Sequence, residues 1–223
     1  MPIVLPSFAG AAQPSGSAFA NEYSLNFDGT DDYCAIGSSG NFGTFSAWIK
    51  PSTAISASST VRNLVGFTGV APYGAYAGIA FGPVTGSLTN EIVTIYTGDW
   101  VYGYTDASAT ISTEWHHLAT RWTGSDYEIY LDGVQVKNAD GQFGSGAKAN
   151  LAISAFNIGR RNTGDRYFDG LIDEVAIWTS PLSASDVVAI YNSGVPADLT
   201  SLSPVGWWRM GDGTEAGSGT TIY

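Results

Sequence analysis

The sequence predicts an all-β protein in which two antiparallel sheets pack into a β-sandwich, with one short helix near the C-terminus. Short runs of alternating apolar and polar residues recur along the chain, and turn residues separate them. The 28 glycines and the 13% aromatic content fit many short strands joined by tight turns. With 223 residues and 44% hydrophobic content, the chain is long enough to form one sizeable core in a single domain.

A central strand of this sandwich is predicted at residues 168–178. Apolar residues alternate onto both of its faces, which indicates a strand that is buried on both sides. Period-two alternation would place the neighbouring acids Asp173 and Glu174 on opposite faces. A charge in a buried strand needs a partner, a metal ion or water, so this acid pair is a candidate for a functional role.

Further strands follow from the same alternation. The Asp132-Gly133 pair between two alternating runs predicts a two-residue hairpin, because a type I′ turn requires positive φ at both positions. The remaining strands are predicted at residues 23–27, 33–37, 45–50, 63–68, 76–81, 92–96, 100–104, 115–122, 127–131, 134–137 and 151–158.

The helix is predicted after residue 183. Ser183 can cap it, and Asp186 stands three residues later, which is the spacing of a capping box. Val187 and Ile190 have helical spacing, and Gly194 is the expected stop.

Composition and charge limit the possible partners. The net charge of −11 argues against nucleic acid, because phosphate binding needs a basic surface. Cys34 is the single cysteine, so the chain can form neither an internal disulfide nor a cysteine zinc cluster. We expect no membrane insertion, since no apolar run approaches the length of a membrane span. The N-terminus lacks the basic region of a conventional signal peptide.

The two ends of the chain are predicted to lie outside the sandwich. Residues 1–21 form an extended arm and residues 22–202 the sandwich, while residues 203–223 form a tail or the start of a connector. The arm contains a cluster of large apolar residues. Two interpretations of that cluster stay open, a strap packed along its own domain and a segment that docks onto a neighbouring subunit.

Four segments, in this order, resemble the laminin-G-like domains of the concanavalin-A-like lectin and glucanase superfamily. They are Tyr23–Tyr33, Phe45–Lys50, Glu114–Ala119 with Tyr127–Gly133, and Asn157–Gly159 with Gly170–Trp178. The resemblance covers roughly residues 22–195. It implies a jelly roll in which the first and last strands of the fold are paired.

The resemblance also implies a place for a cation. Pairing the first strand with the last would bring a turn that carries Asp28, Asp31 and Asp32 toward Asp173 and Glu174. Many relatives carry calcium, an ion that takes six to eight oxygen ligands, so Ca²⁺ is the expected cofactor. In the alternative interpretation these aspartates only support the turn by accepting hydrogen bonds from local backbone amides.

A second candidate site is aromatic. Trp100, Tyr102 and Tyr104 alternate along one predicted strand and therefore share a face. Aromatic rings stack on the apolar faces of sugars, so these residues are the predicted carbohydrate-binding residues. The alternative is that the rings belong to the core, which aromatic residues dominate in sandwiches.

No catalysis is expected from this sequence. Related glucanases place their acids as Glu-x-Asp-x-Glu on one strand face, and that pattern does not occur here. No Ser/His/Asp arrangement is predicted either, because His116 and His117 follow Trp115 in a core-strand motif.

Two functions remain open at this stage. The first is a structural or assembly protein at an exposed surface, extracellular or on a virion, such as a decoration or appendage subunit whose partners are neighbouring subunits. The second is a carbohydrate-binding module of an extracellular protein, whose partner is a glycan. The starting methionine, the missing export signal, the lack of disulfides and the apolar arm favour the first. The ligand chemistry that the resemblance implies favours the second.

Overall fold

The computed structural model describes most of the chain in fifteen segments. They are residues 4–6, 19, 21–37, 40–41, 43–56, 59–68, 77–82, 91–97, 100–105, 110–123, 127–136, 138–139, 152–153, 155–210 and 221–222. Only the backbone is described at residues 4–6, 40–41, 91–92, 94–97, 100–105, 138–139, 152–153 and 221–222.

Twenty strands lie in the described part of the chain. In chain order they are β1 (Val4–Pro6), β2 (Tyr23–Asp28), β3 (Cys34–Ile36), β4 (Gly40–Asn41), β5 (Thr44–Pro51), β6 (Ile55–Ser56), β7 (Arg62–Thr68), β8 (Ala77–Phe81), β9 (Glu91–Thr97), β10 (Trp100–Thr105), β11 (Thr110–Ile111), β12 (His116–Trp122), β13 (Tyr127–Leu131), β14 (Val134–Val136), β15 (Asn138–Ala139), β16 (Ala152–Ile153), β17 (Ala155–Ile158), β18 (Asp169–Trp178), β19 (Gly206–Trp208) and β20 (Thr221–Ile222).

These strands form two large antiparallel sheets, which confirms the predicted jelly-roll sandwich. The first sheet has the order β1-β2-β18-β5-β12-β13-β14, with β19 also paired to β18, and the second has the order β15-β10-β9-β8-β7-β17-β3-β20. Two small sheets pair β11 with β6 and β16 with β4. Apolar side chains from both large sheets, among them Phe45 and Leu118 from the first and Phe67 and Ile79 from the second, meet in one buried core.

The first and last strands of the fold are neighbours, as the resemblance implied. β2 pairs with β18, so that Asp28 lies opposite Asp169 and Leu25 lies opposite Ile172. The other side of β18 pairs with β5, which makes β18 a central strand. Its inner face joins the main core, while Trp178 on its outer face packs in a second apolar cluster with residues that follow the helix.

The strict alternation predicted for β18 is wrong in the middle of the strand. Asp173 lies opposite Trp48, but the next paired residue, Ala176, lies opposite Ser46, so β18 carries one residue more than β5. This is a β-bulge, and Glu174 within it has a positive φ of 48°. After the bulge the faces change over, and for this reason Glu174 does not take the core position that alternation assigns to it.

The predicted helix is present as α1 (Ala184–Tyr191). Ser183 and Asp186 form the expected capping box, in which each side chain accepts a hydrogen bond from the other residue's backbone N–H. The helix ends earlier than predicted, because Asn192 rather than Gly194 takes the left-handed C-cap conformation. Asparagine is the usual non-glycine residue at such a position. Val187 packs against Ala119 and thereby holds the helix on the outer face of the first sheet.

The chain ends are joined to the sandwich more closely than predicted. Strand β1 pairs with β2 of the same chain, which is the arrangement of the strap interpretation. Strand β19 pairs with β18, and Trp208 and Met210 are buried in the main core. Residues 206–210 therefore pack with the sandwich, beyond the boundary predicted at residue 202. Among the described residues, no helix combines the length and the apolar character needed to cross a membrane.

Candidate functional site

Polar and charged side chains gather at one end of the first sheet, which we call the loop end. Five strands of that sheet begin or end there, at Asp28 of β2, Asp169 of β18, Pro51 of β5, His116 of β12 and Leu131 of β13. The registers place these strand ends side by side. Adjacent strands lie about 4.8 Å apart, so the three spacings from β2 to β12 correspond to about 14 Å.

An acidic turn occupies the β2 side of the loop end. Oδ1 of Asp28 accepts hydrogen bonds from the backbone N–H groups of Thr30, at 2.7 Å, and Asp31, at 3.3 Å. Oδ2 of Asp32 accepts one from the N–H of Asp28, at 3.0 Å. Two of these carboxylates thus stabilise their own turn, as the alternative interpretation expects. One oxygen from each of Asp28, Asp31 and Asp32 lies within 4.8 Å of the others.

A guanidinium group lies against this turn. Nη1 of Arg62 is 3.4 Å from Oδ2 of Asp169, and it would be 2.7 Å from a Cβ placed on Gly29. Gly29 has a φ of 76°, so glycine is required there both by backbone conformation and by the close approach of Arg62. The positive charge of Arg62 therefore already balances part of the negative charge on this side of the turn.

The predicted five-acid cation site does not form. Asp28 lies opposite Asp169, four residues before Asp173, and this separation along a strand is about 13 Å. Asp173 and Glu174 are therefore too far from the turn to share an ion with it. The three turn aspartates still fit Ca²⁺ by donor type, because carboxylate oxygens are its preferred ligands.

The acid pair in the bulge has its own protein partners. Asp173 is 0% exposed and Glu174 is 2% exposed. Asn21 Nδ2 donates a hydrogen bond to Asp173 Oδ2 at 3.0 Å, and Trp207 Nε1 donates one to Glu174 Oε2. Arg209 Nε donates to Glu174 Oε1 at 3.2 Å. These contacts satisfy two buried carboxylates with residues from both ends of the chain, which is a structural role.

The arginines of the β17–β18 loop form local contacts. The guanidinium carbon of Arg160 is 3.2 Å from the ring centroid of Tyr33, next to the acidic turn. Arg161 forms a two-point ion pair with Asp165, with its Nε 2.6 Å from Oδ1. Burial raises the pKa of Asp165, but hydrogen bonds from Arg161 and Thr163 outweigh that effect and hold the pKa below its ordinary value. The loop thus places a cation on the ring of Tyr33, beside the acidic turn.

The predicted aromatic residues lie on β10, in the second sheet. The register sets Trp100 opposite Thr97, Tyr102 opposite Ile95 and Tyr104 opposite Val93. The three side chains lie outside the described residues.

A hydrogen-bonded chain of serine, histidine and aspartate lies on the β12 side of the loop end. Oγ of Ser112 is 2.9 Å from Nε2 of His116, and Nδ1 of His116 is 2.7 Å from Oδ2 of Asp132. The expectation that no Ser/His/Asp arrangement exists is wrong. Three separate elements assemble it: the segment after β11 carries the serine, β12 begins with the histidine, and the β13–β14 turn carries the aspartate.

Local geometry explains how these three side chains meet. Asp132 and Gly133 have positive φ values of 51° and 73°, as predicted for the hairpin turn. The other carboxylate oxygen of Asp132, Oδ1, accepts the backbone N–H of His117 at 2.8 Å, which fixes the turn against β12. Spacing alone could not show this, because His116 follows Ser112 by four positions and Asp132 follows His116 by sixteen.

His117 has a different environment from its neighbour. It is 1% exposed, its Nε2 is 2.8 Å from Oγ of Ser46, and its ring clusters with those of Trp48 and Tyr191. Burial lowers the pKa of His117 from 6.5 to about 4, and the nearby charge of Asp132 opposes this only in part. His117 therefore serves as a neutral packing residue between the first sheet and the helix.

The fold and the loop end define a lectin-like β-sandwich, and the family comparison agrees. The pattern described as the concanavalin A-like lectin/glucanases superfamily matches residues 28–188. The chain belongs to this superfamily. No protein with a curated description matches it.

Two solved structures illustrate the likeness in fold. The crystal structure of a candidate carbohydrate-binding protein from Bacteroides ovatus ATCC 8483 is 18% identical, with a TM-score of 0.59, and covers 90% of this chain. The present chain spans 59% of that protein's length. Domain 4 of AbnA, an extracellular arabinanase of Geobacillus stearothermophilus solved with arabinotriose, is 18% identical with a TM-score of 0.55. That match covers 86% of this chain and 81% of the domain.

Proposed function

We propose that this protein is a carbohydrate-binding module that acts outside the cell and binds its glycan at the loop end. The observation that carries this proposal is the group of polar side chains at that end. The exposed carboxylates of Asp28 and Asp31 lie there beside Arg160, whose guanidinium group stacks on the ring of Tyr33. Carboxylates accept hydrogen bonds from sugar hydroxyls, guanidinium groups donate them, and aromatic rings offer an apolar face. The lectin-like family and the arabinotriose complex of domain 4 of AbnA support the same function.

The negative charge of the turn favours a neutral glycan. Asp28 and Asp31 are exposed, and the chain carries a net charge of −11. An anionic sugar would approach against this potential, whereas vicinal hydroxyls can donate to the carboxylates without that penalty. Neutral oligosaccharides such as arabinotriose are accordingly the first ligands to test.

Calorimetric titration with arabinotriose and a panel of neutral oligosaccharides tests the proposal. We expect Asp31→Asn, at the loop end, to weaken binding about tenfold, since one hydrogen bond to a charged group contributes about 1.5 kcal/mol. Asp198→Asn changes an exposed carboxylate in the C-terminal segment and is the matched control. Trp100→Ala tests β10 in the same assay. Loss of binding in that variant, without loss of stability, would move the site to β10, and absence of binding to any glycan would contradict the proposed function.

We further propose that Asp28, Asp31 and Asp32 hold Ca²⁺ in the functional protein. The ion would supply a positive centre for sugar hydroxyls, and the turn would supply three of its oxygen ligands. The three carboxylates support this proposal, because they are ligands that Ca²⁺ prefers. The neighbouring Arg62 opposes it, because its positive charge repels the ion. Asp173 and Glu174 have no part in this site.

The assembly function receives less support than the glycan-binding function. Its main argument was an apolar arm free to reach a neighbouring subunit, and β1 instead pairs with β2 of the same chain. Neither of the two structures compared above is described as a virion or appendage protein. Glycan binding is therefore the function we carry forward.

A further inference from the structure

We propose that Ser112, His116 and Asp132 form a nucleophilic site that cleaves O-acyl esters. This activity goes beyond glycan binding, and only its favoured substrate class rests on the proposed glycan site. Oγ of Ser112 is 2.9 Å from Nε2 of His116, and Nδ1 of His116 is 2.7 Å from Oδ2 of Asp132. These are the distances expected when a serine nucleophile is hydrogen-bonded to a base that a carboxylate orients. Ser112 is exposed, and the side chains of His116 and Asp132 are 16% and 33% exposed.

Only one assignment of protons satisfies this chain when the imidazole is neutral. An ionised carboxylate can only accept, so Nδ1 of His116 carries the hydrogen that Asp132 Oδ2 receives. Nε2 then has a free lone pair, and the hydroxyl of Ser112 donates to it. This is the state in which a histidine can remove the serine proton. Asp132 is itself fixed, because its backbone N–H donates to the carbonyl of His117 at 2.9 Å.

A backbone donor completes the surroundings of the nucleophile. The N–H of Glu114 donates to Oγ of Ser112 at 3.2 Å. It thereby holds Oγ in place in the free protein. We expect slow turnover, because this donor is engaged with Oγ itself rather than aimed at the carbonyl oxygen of a substrate.

The reaction is an acyl transfer to water in two steps. Oγ of Ser112 bonds to the carbonyl carbon of the ester as its proton moves to Nε2 of His116. The bond from that carbon to the leaving alkoxide then breaks, and the alkoxide takes the proton from Nε2. In the second step water attacks the acyl-serine and gives a proton to Nε2. The carbon–Oγ bond breaks, Oγ recovers the proton, and a carboxylic acid leaves.

The position of this site suggests the class of substrate. It lies at the same end of the sheet as the acidic turn, three strand spacings or about 14 Å from it. A short glycan that reached from the turn toward β12 could present an O-acyl group to Ser112. Acylated sugars are therefore the substrate class we favour, and simple aryl esters are suitable probes.

Covalent labelling of the full chain with a fluorophosphonate ester tests the proposal directly. This probe traps an activated serine by forming a phosphorus–oxygen bond as the phosphorus–fluorine bond breaks and fluoride leaves, and peptide mass mapping identifies the labelled residue. We expect one adduct, on Ser112, together with slow release of p-nitrophenol from p-nitrophenyl acetate. Ser112→Ala should abolish both signals. Thr113→Ala removes the neighbouring exposed hydroxyl and should leave both unchanged.

The base is tested by a second variant. His116→Gln should lower the labelling rate about 100-fold or more, as expected for loss of a general base, while circular dichroism reports whether the sandwich is intact. A chain with no adduct on Ser112 would overturn the proposal, and so would a labelling rate equal to that of the unchanged protein in folded His116→Gln. If that variant fails to fold, the peptide map of the unchanged chain still decides whether Ser112 is labelled. Glycan binding measured by calorimetry is a separate result, which either outcome here leaves standing.

Discussion

Asn21 and Asp173, 152 positions apart in the sequence, are joined by a hydrogen bond of 3.0 Å from Nδ2 to Oδ2. Together with Arg209 on Glu174, this contact ties both chain ends to the bulge of the central strand. Buried carboxylates are unfavourable without such partners, so residues outside the family match contribute to the stability of the sandwich. The first prediction follows from this connection.

Arg209→Met should destabilise the protein by about 3 kcal/mol, because it leaves the buried Glu174 carboxylate without its cation. The measurement is urea unfolding followed by tryptophan fluorescence. Adding Glu174→Gln to the Arg209→Met variant should recover part of that loss, since the uncompensated charge is then absent. A loss of less than 0.5 kcal/mol, a level typical of ordinary surface substitutions, would contradict the structural role assigned to this pair.

The free energy of unfolding should decrease as the pH is lowered through the range in which His117 titrates. Its pKa is about 4 in the folded protein and 6.5 when unfolded, so the unfolded chain takes up the proton first as the pH decreases. The stabilisation is fully present above pH 6.5 and is lost as the pH falls toward 4, by about 3 kcal/mol in all. Unfolding titrations between these values should show the slope, and His117→Gln should flatten it. An equal slope in that folded variant would show that other groups are responsible.

Calcium should raise the melting temperature if the acidic turn binds it. A ligand present at 100 times its dissociation constant stabilises the folded state by about 2.7 kcal/mol. We therefore expect a chelator to lower the melting temperature in differential scanning calorimetry and added Ca²⁺ to restore it. The double variant Asp31→Asn with Asp32→Asn should lose this response. Magnesium, which demands stricter octahedral geometry, is the comparison ion, and an unchanged melting temperature with every ion would exclude the calcium proposal.

Phe19 should contribute to the attachment of the N-terminal segment. Its ring stacks on Trp207 with centroids 5.7 Å apart, and the Arg209 guanidinium lies 4.3 Å from its centroid. Phe19→Ala should cost about 1–2 kcal/mol, because an aromatic pair contributes 0.5–1.5 kcal/mol beyond the area that it buries. Phe19→Leu keeps most of the apolar area but not the stacking and should lose less. The association state, measured by light scattering, should stay the same in both variants. If instead an assembly dissociates in Phe19→Ala, the interpretation of the N-terminal arm as a segment that docks onto a neighbouring subunit regains support.

Local pattern was enough to predict most of the architecture. Alternation identified the longer strands of both large sheets but not β1, β15, β19 and β20, and the spacing of Ser183, Asp186 and Val187 identified the helix. Alternation and capping depend on residues close together in the sequence, so they can be seen before the chain is folded. The pairing of β2 with β18 came from the family resemblance, and the structure confirms it.

Tertiary structure alone decided the chemistry. One extra residue in β18 moved Glu174 away from its predicted face, and the register placed Asp173 about 13 Å from the acidic turn. The chain of Ser112, His116 and Asp132 appears only when three separate elements meet at the loop end. Bulges, registers and contacts between strand ends depend on packing between residues distant in sequence. Period and spacing therefore determined which strands exist, while packing decided which polar groups face each other.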